Sequence, residues 1–397
     1  MKELFGKYNS AKVFTDNIDI ATTDQISQLL DMPFMADCLI RIMPDCHAGK
    51  GCVVGTTIQI KDKVVPNLVG VDIGCGMLAV KLKDTEIDLV KLDETIRKYV
   101  PSGFSIHDQT IKDFNKFSQF ICPIDTDYAS RSIGTLGGGN HFIEIDRSEN
   151  TSALWLVIHT GSRHLGVEVC EYYQNLAIEN LKGKVKDTIT TTIATLSAAG
   201  REKEISEHIQ KIKESSKGIP NDLCYVSGQD FENYLNDMKL AQEYAKLNRR
   251  TIADIILSMM DLKENRDETF DTIHNYINMD DMILRKGSIS ARNGEKVIIP
   301  MNMRDGSLIC LGVGNPDWNY SAPHGAGRIL SRAAAKELIP MSDFVNSMEG
   351  IYSTSVVMET IDEAPMAYKP MEEIISNIGD TVTITDVIKP IYNFKAH

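Results

Sequence analysis

One short turn and three histidines elsewhere in the chain provide candidate metal ligands. Asp72 and Cys75 are three positions apart in "VGVDIGCGM", so a carboxylate and a thiolate could face the same ion. His141, His159 and His274 each stand beside glycine, asparagine or a turn, and they are candidate nitrogen ligands. Thiolate and imidazole suit zinc, iron or cobalt, whereas carboxylate suits manganese or magnesium. Taken singly, the cysteine suits the core and each histidine suits a structural role, but the mixed set predicts a metal site, which could hold two ions with the thiolate shared.

A second group combines a histidine with arginines. "SAPHGAGRILSRAAAKEL" predicts a helix that opens at the Gly-Ala-Gly turn 325–327, with Arg328 and Arg332 on one face. With Arg163 of "HTGSRHLG", these guanidinium groups suit phosphate or sulfate oxygens, as do the N–H groups of a helix N-terminus. His324 could then attack phosphorus. The alternatives are a hydrogen-bonded turn residue for His324 and a solvated or salt-bridged helix face for the arginines.

The segment "GTLGGGNHFIE" adds a strand beside these groups. Side chains alternate along a strand, so His141 and Ile143 are expected on one side, with Phe142 and Glu144 on the other. Phe142 could stack on a base, and Glu144 could accept hydrogen bonds from it. The alternative for Phe142 is an ordinary place in the core.

Composition narrows the class of protein. The chain has 397 residues, 43% hydrophobic and 24% charged, and a formal net charge of −13, which argues against nonspecific coating of nucleic acid. No secretory signal or membrane-spanning stretch is visible in the sequence. The eight cysteines include no C-x-x-C pair, which favours a reduced, cytoplasmic protein over a disulfide framework.

The elements that must hold these residues are of both kinds. β-branched runs bounded by glycine, aspartate and proline predict strands in the first and last thirds of the chain. Helical periodicity predicts an outer helical layer from 167 to 263, with a long helix at 231–260. We therefore expect an α+β fold with buried mixed sheets, surrounding helices and one large domain over 1–397. The polar stretch around 182–217 is expected to be a helical insertion.

Five blocks together resemble the RtcB family of RNA ligases: "MPDCHAGKG", "VGVDIGCGM", "GTLGGGNHFIE", "HTGSRHLG" and "HGAGR". "EAPMAYKP" and the terminal "YNFKAH" are weaker matches, and the resemblance spans nearly the whole chain. It implies an RtcB-like fold and an enzyme that joins RNA 3′-phosphate or 2′,3′-cyclic-phosphate ends to 5′-hydroxyl ends, in RNA repair or tRNA splicing. It also implies GTP and two manganese ions as cofactors.

The resemblance assigns roles position by position. It implies that Asp72, Cys75 and His141 hold one manganese ion and that Cys75, His159 and His274 hold the other. His324 becomes the nucleophile that takes up GMP from GTP. The implied nucleotide contacts are Asn140, Phe142, Glu144, Tyr368 and Lys395, and the implied RNA-phosphate contacts are Arg163, Arg328 and Arg332.

Two other functions remain open at this stage. A divergent relative could act as a metal-dependent cyclic-phosphate phosphoesterase, which would need the metals but not His324. A non-catalytic homologue could bind nucleotide or RNA, and loss of a ligand would be its signature. The sequence leaves open the physiological RNA, the use of DNA ends, the need for an accessory activator and the oligomeric state.

Overall fold

Strands from the first and last thirds of the chain form the two large sheets of the fold. The structure is a computed structural model that describes residues 1–216 and 219–396. Its strands are β1 Lys2–Phe5, β2 Ser10–Val13, β3 Leu39–His47, β4 Val54–Gln59, β5 Lys63–Val64, β6 Gly76–Lys81, β7 Phe142–Ser148, β8 Leu154–Thr160, β9 Val226–Ser227, β10 Phe270–Ile273, β11 Asn275–Asn278, β12 Ile283–Lys286, β13 Ser288–Ser290, β14 Lys296–Asn302, β15 Gly306–Gly312, β16 Ser321–Pro323 and β17 Val382–Lys395.

The larger sheet curls until it nearly closes. Its seven strands run in the order β10-β6-β8-β7-β17-β15-β14, and all neighbouring pairs are antiparallel. The outer strands approach each other, since the backbone N–H of Ile298 on β14 donates to Thr272 on β10 at 3.4 Å. Alternate residues such as Phe142, Val157 and Ile309 fill the interior of this barrel-like sheet.

The smaller sheet has six strands in the order β1-β2-β3-β4-β12-β11. It is mixed, because β2 and β3 are parallel whereas the other neighbouring pairs are antiparallel. Ile40, Ile42 and Ile58 from its central strands are buried in the largest apolar cluster of the fold. Strand β11 follows β10 after a single residue, His274, so that histidine lies where the two sheets meet.

Helices cover the sheets from outside. They are α1 Ile20–Leu30, α2 Pro66–Val69, α3 Leu89–Tyr99, α4 Thr126–Ser132, α5 Arg163–Ala198, α6 Ile205–Ser216, α7 Gln229–Met260, α8 Arg332–Leu338, α9 Met341–Ser347 and α10 Met371–Ile378. The long helix α7 buries Ile252 and Ile256 against the outer face of the seven-stranded sheet. Among the described residues, no helix combines the length and the apolar character needed to cross a membrane.

The predicted α+β class is confirmed, with mixed sheets and surrounding helices in one domain. The strands predicted at 141–146 and 153–161 correspond to β7 and β8, and the helix predicted at 231–260 corresponds to α7. The helical insertion around 182–217 stays a prediction. Residues 182–198 continue α5 and 205–216 form α6, whereas residue 217 lies outside the described residues.

The prediction that a helix opens at residues 325–327 is wrong. Helix α8 begins at Arg332, and the side chain of Ser331 caps it by accepting from the N–H of Ala334. The backbone N–H groups of residues 329 and 330 donate instead to the carbonyl of Ala367. Gly327 has a φ of 73°, and a Cβ there would collide with the backbone of Asp45. These contacts hold the segment in an extended turn, so Arg328 and Arg332 do not share a helix face.

Candidate functional site

A cavity of about 370 Å³ lies where the two sheets meet. Both sheets and the turn after β16 contribute to its walls. The predicted site residues that line it are Asp72, Cys75, Asn140, Phe142, Glu144, His159, His274, His324, Arg328, Arg332, Tyr368 and Lys395. Residues that are dispersed over more than 300 positions of the chain therefore converge on one space.

Two groups of potential metal ligands occupy one end of the cavity and share a thiolate. In the first group, Sγ of Cys75 is 3.5 Å from Nε2 of His141, which is 2.9 Å from a carboxylate oxygen of Asp72. In the second, the same sulfur is 3.3 Å from Nε2 of His159, which lies 3.4 Å from Nε2 of His274. The structure thus brings together the same side chains that the resemblance assigns to two ions, and their binding of metal stays a prediction.

The turn between α2 and β6 positions the first two ligands. The N–H of Cys75 donates to the carbonyl of Asp72 at 3.1 Å, which closes the turn. Gly74 has a φ of 69°, and a Cβ there would lie 2.8 Å from the Cα of Gln242 on α7. The N–H of His274 donates to the carbonyl of Cys75 at 2.9 Å, so the turn also fixes the last histidine. A side chain at position 74 would disturb both.

The chemical state of these side chains fits a cation. Nδ1 of His141 donates to the carbonyl of Leu136 at 2.8 Å, which leaves the lone pair of Nε2 directed at the other ligands. Burial lowers the pKa values of His159 and His274 well below their ordinary value, so both rings are neutral. Burial opposes ionisation of Asp72, but the neighbouring His141 ring lowers its pKa to about 2, so the carboxylate is ionised.

Cys75 is the one ligand that burial holds as a thiol. Burial and the neighbouring charge of Asp72 raise the pKa of Cys75 well above its ordinary value. A metal ion replaces the proton of a coordinating thiol, so a buried cysteine among neutral imidazoles and a carboxylate has the donor chemistry of a metal ligand. The residues present therefore fit a bridged pair of divalent ions.

His324 stands beside the second ligand group and is held by a buried carboxylate. Its ring centroid is 4.9 Å from that of His274. Its Nδ1 donates to Oδ2 of Asp45 at 2.7 Å, and the same oxygen accepts the N–H groups of His324 and Gly325 at 3.1 and 3.2 Å. Because Nδ1 carries the proton, the free lone pair of the ring is on Nε2. The imidazole lines the cavity, and its role as a nucleophile stays a prediction.

A flat apolar surface and a carboxylate lie beside the ligand groups. The rings of Phe142 and His159 are 5.2 Å apart, and Nζ of Lys395 stands 5.5 Å from the centre of the Phe142 ring. Glu144 is buried, and the Nδ2 amide of Asn393 donates to its Oε1 at 2.5 Å. Burial raises the pKa of Glu144 to about 7, against the opposing effects of Asn393 and Lys395.

One acidic residue joins four of the predicted site residues. Glu363 accepts from Nζ of Lys395 at 2.7 Å and from the hydroxyl of Tyr368 at 2.7 Å. Its other oxygen lies 3.2 Å from Nη1 of Arg328 and 3.0 Å from Nη1 of Arg332. The guanidinium of Arg328 also stacks on the Tyr368 ring at 5.0 Å. Glu363 thus balances the positive charge at this end of the cavity.

Arg163 lies beneath the glycine-rich loop that precedes β7. Its Nε donates to the hydroxyl of Thr135 at 3.0 Å, and its Nη2 donates to the carbonyl of Gly103 at 2.9 Å. A Cβ at Gly137 would collide with the guanidinium group. These contacts brace the loop that ends in Asn140. A role of Arg163 in binding RNA phosphate stays a prediction.

Sequence reasoning missed several residues of the cavity. Asp45 and Glu363 stand inside quoted blocks, "MPDCHAGKG" and "EAPMAYKP", but no spacing rule marks them as partners of His324 or Lys395. The other residues without a predicted role include His47, Lys50, Asn67, Asn275, Lys286, Pro300, Met301, Asn302 and Met303. The glycines that follow Asp45 in "MPDCHAGKG" were the one sequence signal that could have marked it as a site residue.

The chain is similar to known proteins over most of its length. The family model described as tRNA-splicing ligase RtcB matches residues 25–125 and 124–396. The RNA-splicing ligase RtcB of Escherichia coli is 28% identical over 429 residues, covering 97% of each chain. The tRNA-splicing ligase RtcB of Aeropyrum pernix is 25% identical and covers 92% of this chain and 90% of its own. That of Nanoarchaeum equitans is 24% identical, covering 84% and 83%. The chain belongs to the RtcB family.

Proposed function

We propose that this protein is a GTP- and manganese-dependent RNA ligase. It joins RNA 3′-phosphate or 2′,3′-cyclic-phosphate ends to 5′-hydroxyl ends through a histidine–GMP intermediate, in RNA repair or tRNA splicing. The observation that carries the proposal is the position of His324, which is held by Asp45 with its Nε2 lone pair free, next to a shared-thiolate ligand set. The names of the relatives, RNA-splicing and tRNA-splicing ligases, support the same reaction.

Two manganese ions would be held by the two ligand groups. Asp72 and His141 would hold one ion, and His159 and His274 would hold the other. Cys75 would contribute its thiolate to both ions. Bound manganese would neutralise charge on the α-phosphate and on the departing pyrophosphate. The carboxylate of Asp72 suits manganese, whereas the thiolate and imidazoles also suit zinc, iron or cobalt, so the choice of manganese rests on the family to which the chain belongs.

His324 carries the first step. Its Nε2 lone pair attacks the α-phosphorus of GTP, a nitrogen–phosphorus bond forms, and the bond to the β-phosphate oxygen breaks to release pyrophosphate. The ring gains positive charge as the bond forms. Asp45, buried and bound to Nδ1–H, stabilises that charge and keeps the ring in one orientation.

Guanine fits the side chains beside Phe142. Guanine presents N–H donors at N1 and N2 and an acceptor at O6. The carboxylate of Glu144 accepts from the donors, the ammonium of Lys395 donates to O6, and Phe142 stacks on the ring. Tyr368 and Asn140 complete the pocket, toward the base and the phosphates respectively. Adenine has the opposite polarity along this edge, so the pocket favours GTP.

The RNA end would bind at the arginine end of the cavity. Arg332 is half exposed and Arg328 is largely buried, and both face the cavity. The RNA 3′-phosphate displaces His324 from GMP, which gives a diphosphate-linked 3′ end and frees the histidine. The 5′-hydroxyl then attacks the 3′-phosphate, forms the phosphodiester and releases GMP. A cyclic phosphate is hydrolysed beforehand.

The cellular setting is part of the proposal. All eight cysteines are free thiols, which supports a reducing compartment such as the cytoplasm. RNA with the two end types is the proposed partner, and whether an accessory activator is needed is a question for reconstitution with purified protein.

The decisive experiment is transfer of label from α-labelled GTP to the protein in the presence of manganese. We expect a covalent adduct, labile in acid and stable in base, that is absent from His324→Ala and present in the exposed-histidine control His164→Ala. A wild-type protein that binds manganese but forms no adduct would contradict the ligase mechanism. Hydrolysis of cyclic-phosphate RNA by that protein would then favour the phosphoesterase.

A further inference from the structure

Asp146 is a buried carboxyl group that the proposed mechanism does not use. It lies on β7 with no exposed surface, and neither carboxylate oxygen has a hydrogen-bond partner among the described residues. Phe142, Glu144 and Asp146 alternate along the strand, so all three face the interior of the seven-stranded sheet. Asp146 therefore lies directly below the carboxylate that we assign to the guanine edge.

Several other buried polar atoms around this interior also lack hydrogen-bond partners within the described part of the chain, among them Nδ1 of His159 and Oδ1 of Asp386. Trp155 stands opposite Asp146 on β8, and its Nε1–H is unpaired. On β17, Asn393 stands opposite Glu144, and its Oδ1 is unpaired although its Nδ2 donates to Glu144. The hydroxyl of Ser307 on β15, opposite the interior residue Ile388, is unpaired as well.

The chemistry of these groups selects the protonated form of Asp146. The indole N–H of Trp155 can only donate, and Oδ1 of Asn393 can only accept. A neutral carboxylic acid both accepts and donates, so it can satisfy both neighbours through bridging water molecules. An ionised carboxylate would accept from Trp155 but would face the Asn393 oxygen without a proton. An unsatisfied buried polar group is costly, so the complementary arrangement is favoured.

The charge of the neighbouring Glu144 also favours the protonated form of Asp146. The titratable groups that face it are Glu144 and Asp146 on β7, His159 on β8, Lys395 and Asp386 on β17, and, near the rings of Trp155 and Phe270, Lys81 on β6 and Lys296 on β14. Lys395 lies at the end where Glu144 opens into the cavity. Two neighbouring carboxyls in a dry interior do not both ionise. Burial and the charge of Glu144 raise the pKa of Asp146 well above its ordinary value.

We propose that Asp146 is a positioning residue for nucleotide binding: as a neutral acid it donates, through a bridging water molecule, to Oδ1 of Asn393, and Asn393 in turn orients Glu144 toward the guanine edge. The inference rests on the proposed guanine-binding role of Glu144. Asn393 has one amide oxygen and one amide nitrogen, so a donor at Oδ1 fixes which end of the amide meets Glu144. Asp146 thereby sets guanine selectivity without touching the nucleotide.

The test compares GMP, IMP and AMP, none of which can react. Their dissociation constants are measured by titration calorimetry with manganese present, for the wild type, Asp146→Asn, Asp146→Val and the strand control Ile145→Val. IMP lacks the 2-amino group, so the ratio of IMP to GMP dissociation constants reports on Glu144. Manganese stoichiometry and thermal melting establish that each variant is folded.

We expect Asp146→Asn, which keeps a donor and an acceptor, to bind GMP within about threefold of the wild type, and Asp146→Val to lose about tenfold, the effect of one hydrogen bond. The ratio of the IMP to the GMP dissociation constant should fall toward one in Asp146→Val alone. A tenfold loss in Asp146→Asn would overturn the inference, because it would show that a charge is required. An unchanged ratio in a folded Asp146→Val would also overturn it.

Failure of the proposed function has a different signature. If the wild type binds AMP as tightly as GMP, the guanine-specific pocket is wrong and this inference is wrong with it. If the wild type prefers GMP and both Asp146 variants keep that preference, the pocket stands and only the role of Asp146 is rejected.

Discussion

Asp45 and His324 are 279 positions apart in the chain, yet Oδ2 of Asp45 lies 2.7 Å from Nδ1 of His324 and accepts a hydrogen bond from it. Asp45 has no exposed surface, and the ring of His324 is mostly buried. The pair has the arrangement of a carboxylate that orients a catalytic imidazole. This hydrogen bond joins strand β3 of the six-stranded sheet to the turn after β16.

Asp45→Asn should slow formation of the histidine–GMP adduct by about 10²- to 10⁴-fold, the range for loss of an oriented catalytic group. The amide oxygen can still accept the two backbone N–H groups, so the loop should persist while the ring loses its counter-charge. The measurement is the single-turnover rate of label transfer from α-labelled GTP. Asp62→Asn, at an exposed carboxylate, is the control. A rate unchanged by Asp45→Asn would remove Asp45 from the mechanism.

The number of manganese ions bound per chain should depend on which ligand group a substitution removes. We expect two manganese ions per chain in the wild type, about one in His141→Ala and in His274→Ala, and none retained tightly in Cys75→Ala, because the sulfur belongs to both groups. Elemental analysis after gel filtration measures the stoichiometry. Cys310→Ala, which removes a buried thiol remote from the ligands, should keep both ions. Two ions in Cys75→Ala would exclude a shared thiolate.

Glu144 should make stability depend on pH. Its pKa is about 7 in the folded protein because burial disfavours the charge, whereas its ordinary value is near 4.5. The folded state therefore holds this proton more tightly than the unfolded state. The stability that the protonated carboxyl gives to the fold is lost as pH rises from about 4.5 to about 7. Glu144→Gln should melt at a higher temperature than the wild type at pH 8.

At pH 5 that difference should be much smaller, since the wild-type carboxyl is then largely protonated. Thermal melts at both pH values, with the exposed-site variant Glu359→Gln for comparison, give the result. A difference that is the same at pH 5 and pH 8 would show that Glu144 titrates in the folded state as it does in water.

Glu363 should contribute to stability as well as to the site. Burial opposes its ionisation, but the charges of Lys395 and Arg332 lower its pKa, so the carboxylate is ionised. Glu363→Ala removes the buried carboxylate that balances the charges of Lys395, Arg328 and Arg332, and it should lower the free energy of unfolding by roughly 3–5 kcal/mol. Urea unfolding measures this at pH 8. The exposed-residue variant Glu359→Ala should change it by less than about 0.5 kcal/mol.

Arg332 and Arg328 should differ in what they do. Arg332 is 46% exposed and can turn from Glu363 to an RNA phosphate, whereas Arg328, 13% exposed, is also tied to the carbonyls of Asp362 and Leu330. Arg332→Ala should weaken binding of single-stranded RNA and reduce the slope of log affinity against log salt by about 0.7. Arg328→Ala should chiefly lower the melting temperature.

Fluorescence anisotropy across a salt series tests Arg332, with the 87% exposed Arg266 changed to alanine as the control. If Arg332→Ala and Arg266→Ala have the same salt slope as the wild type, Arg332 does not contact phosphate.

Much of the fold and of the candidate metal site could be predicted because the signals are local. Asp72 and Cys75 are three positions apart in one turn, so their convergence follows from spacing. Strands such as β7 and β8 are short apolar runs between turns, and α7 has clear helical periodicity. For these elements the backbone conformation depends chiefly on neighbours within a few residues.

Tertiary structure decided the partnerships and one element boundary. Asp45 meets His324, and Glu363 meets Lys395, only because sheet register and packing bring distant segments together. The helix after His324 begins at Arg332 rather than at the Gly-Ala-Gly turn because Ala367 takes the backbone N–H groups of residues 329 and 330. Local pattern thus determined which residues carry chemistry. Long-range hydrogen bonds and buried charge pairs, which no local pattern encodes, determined what each of them faces.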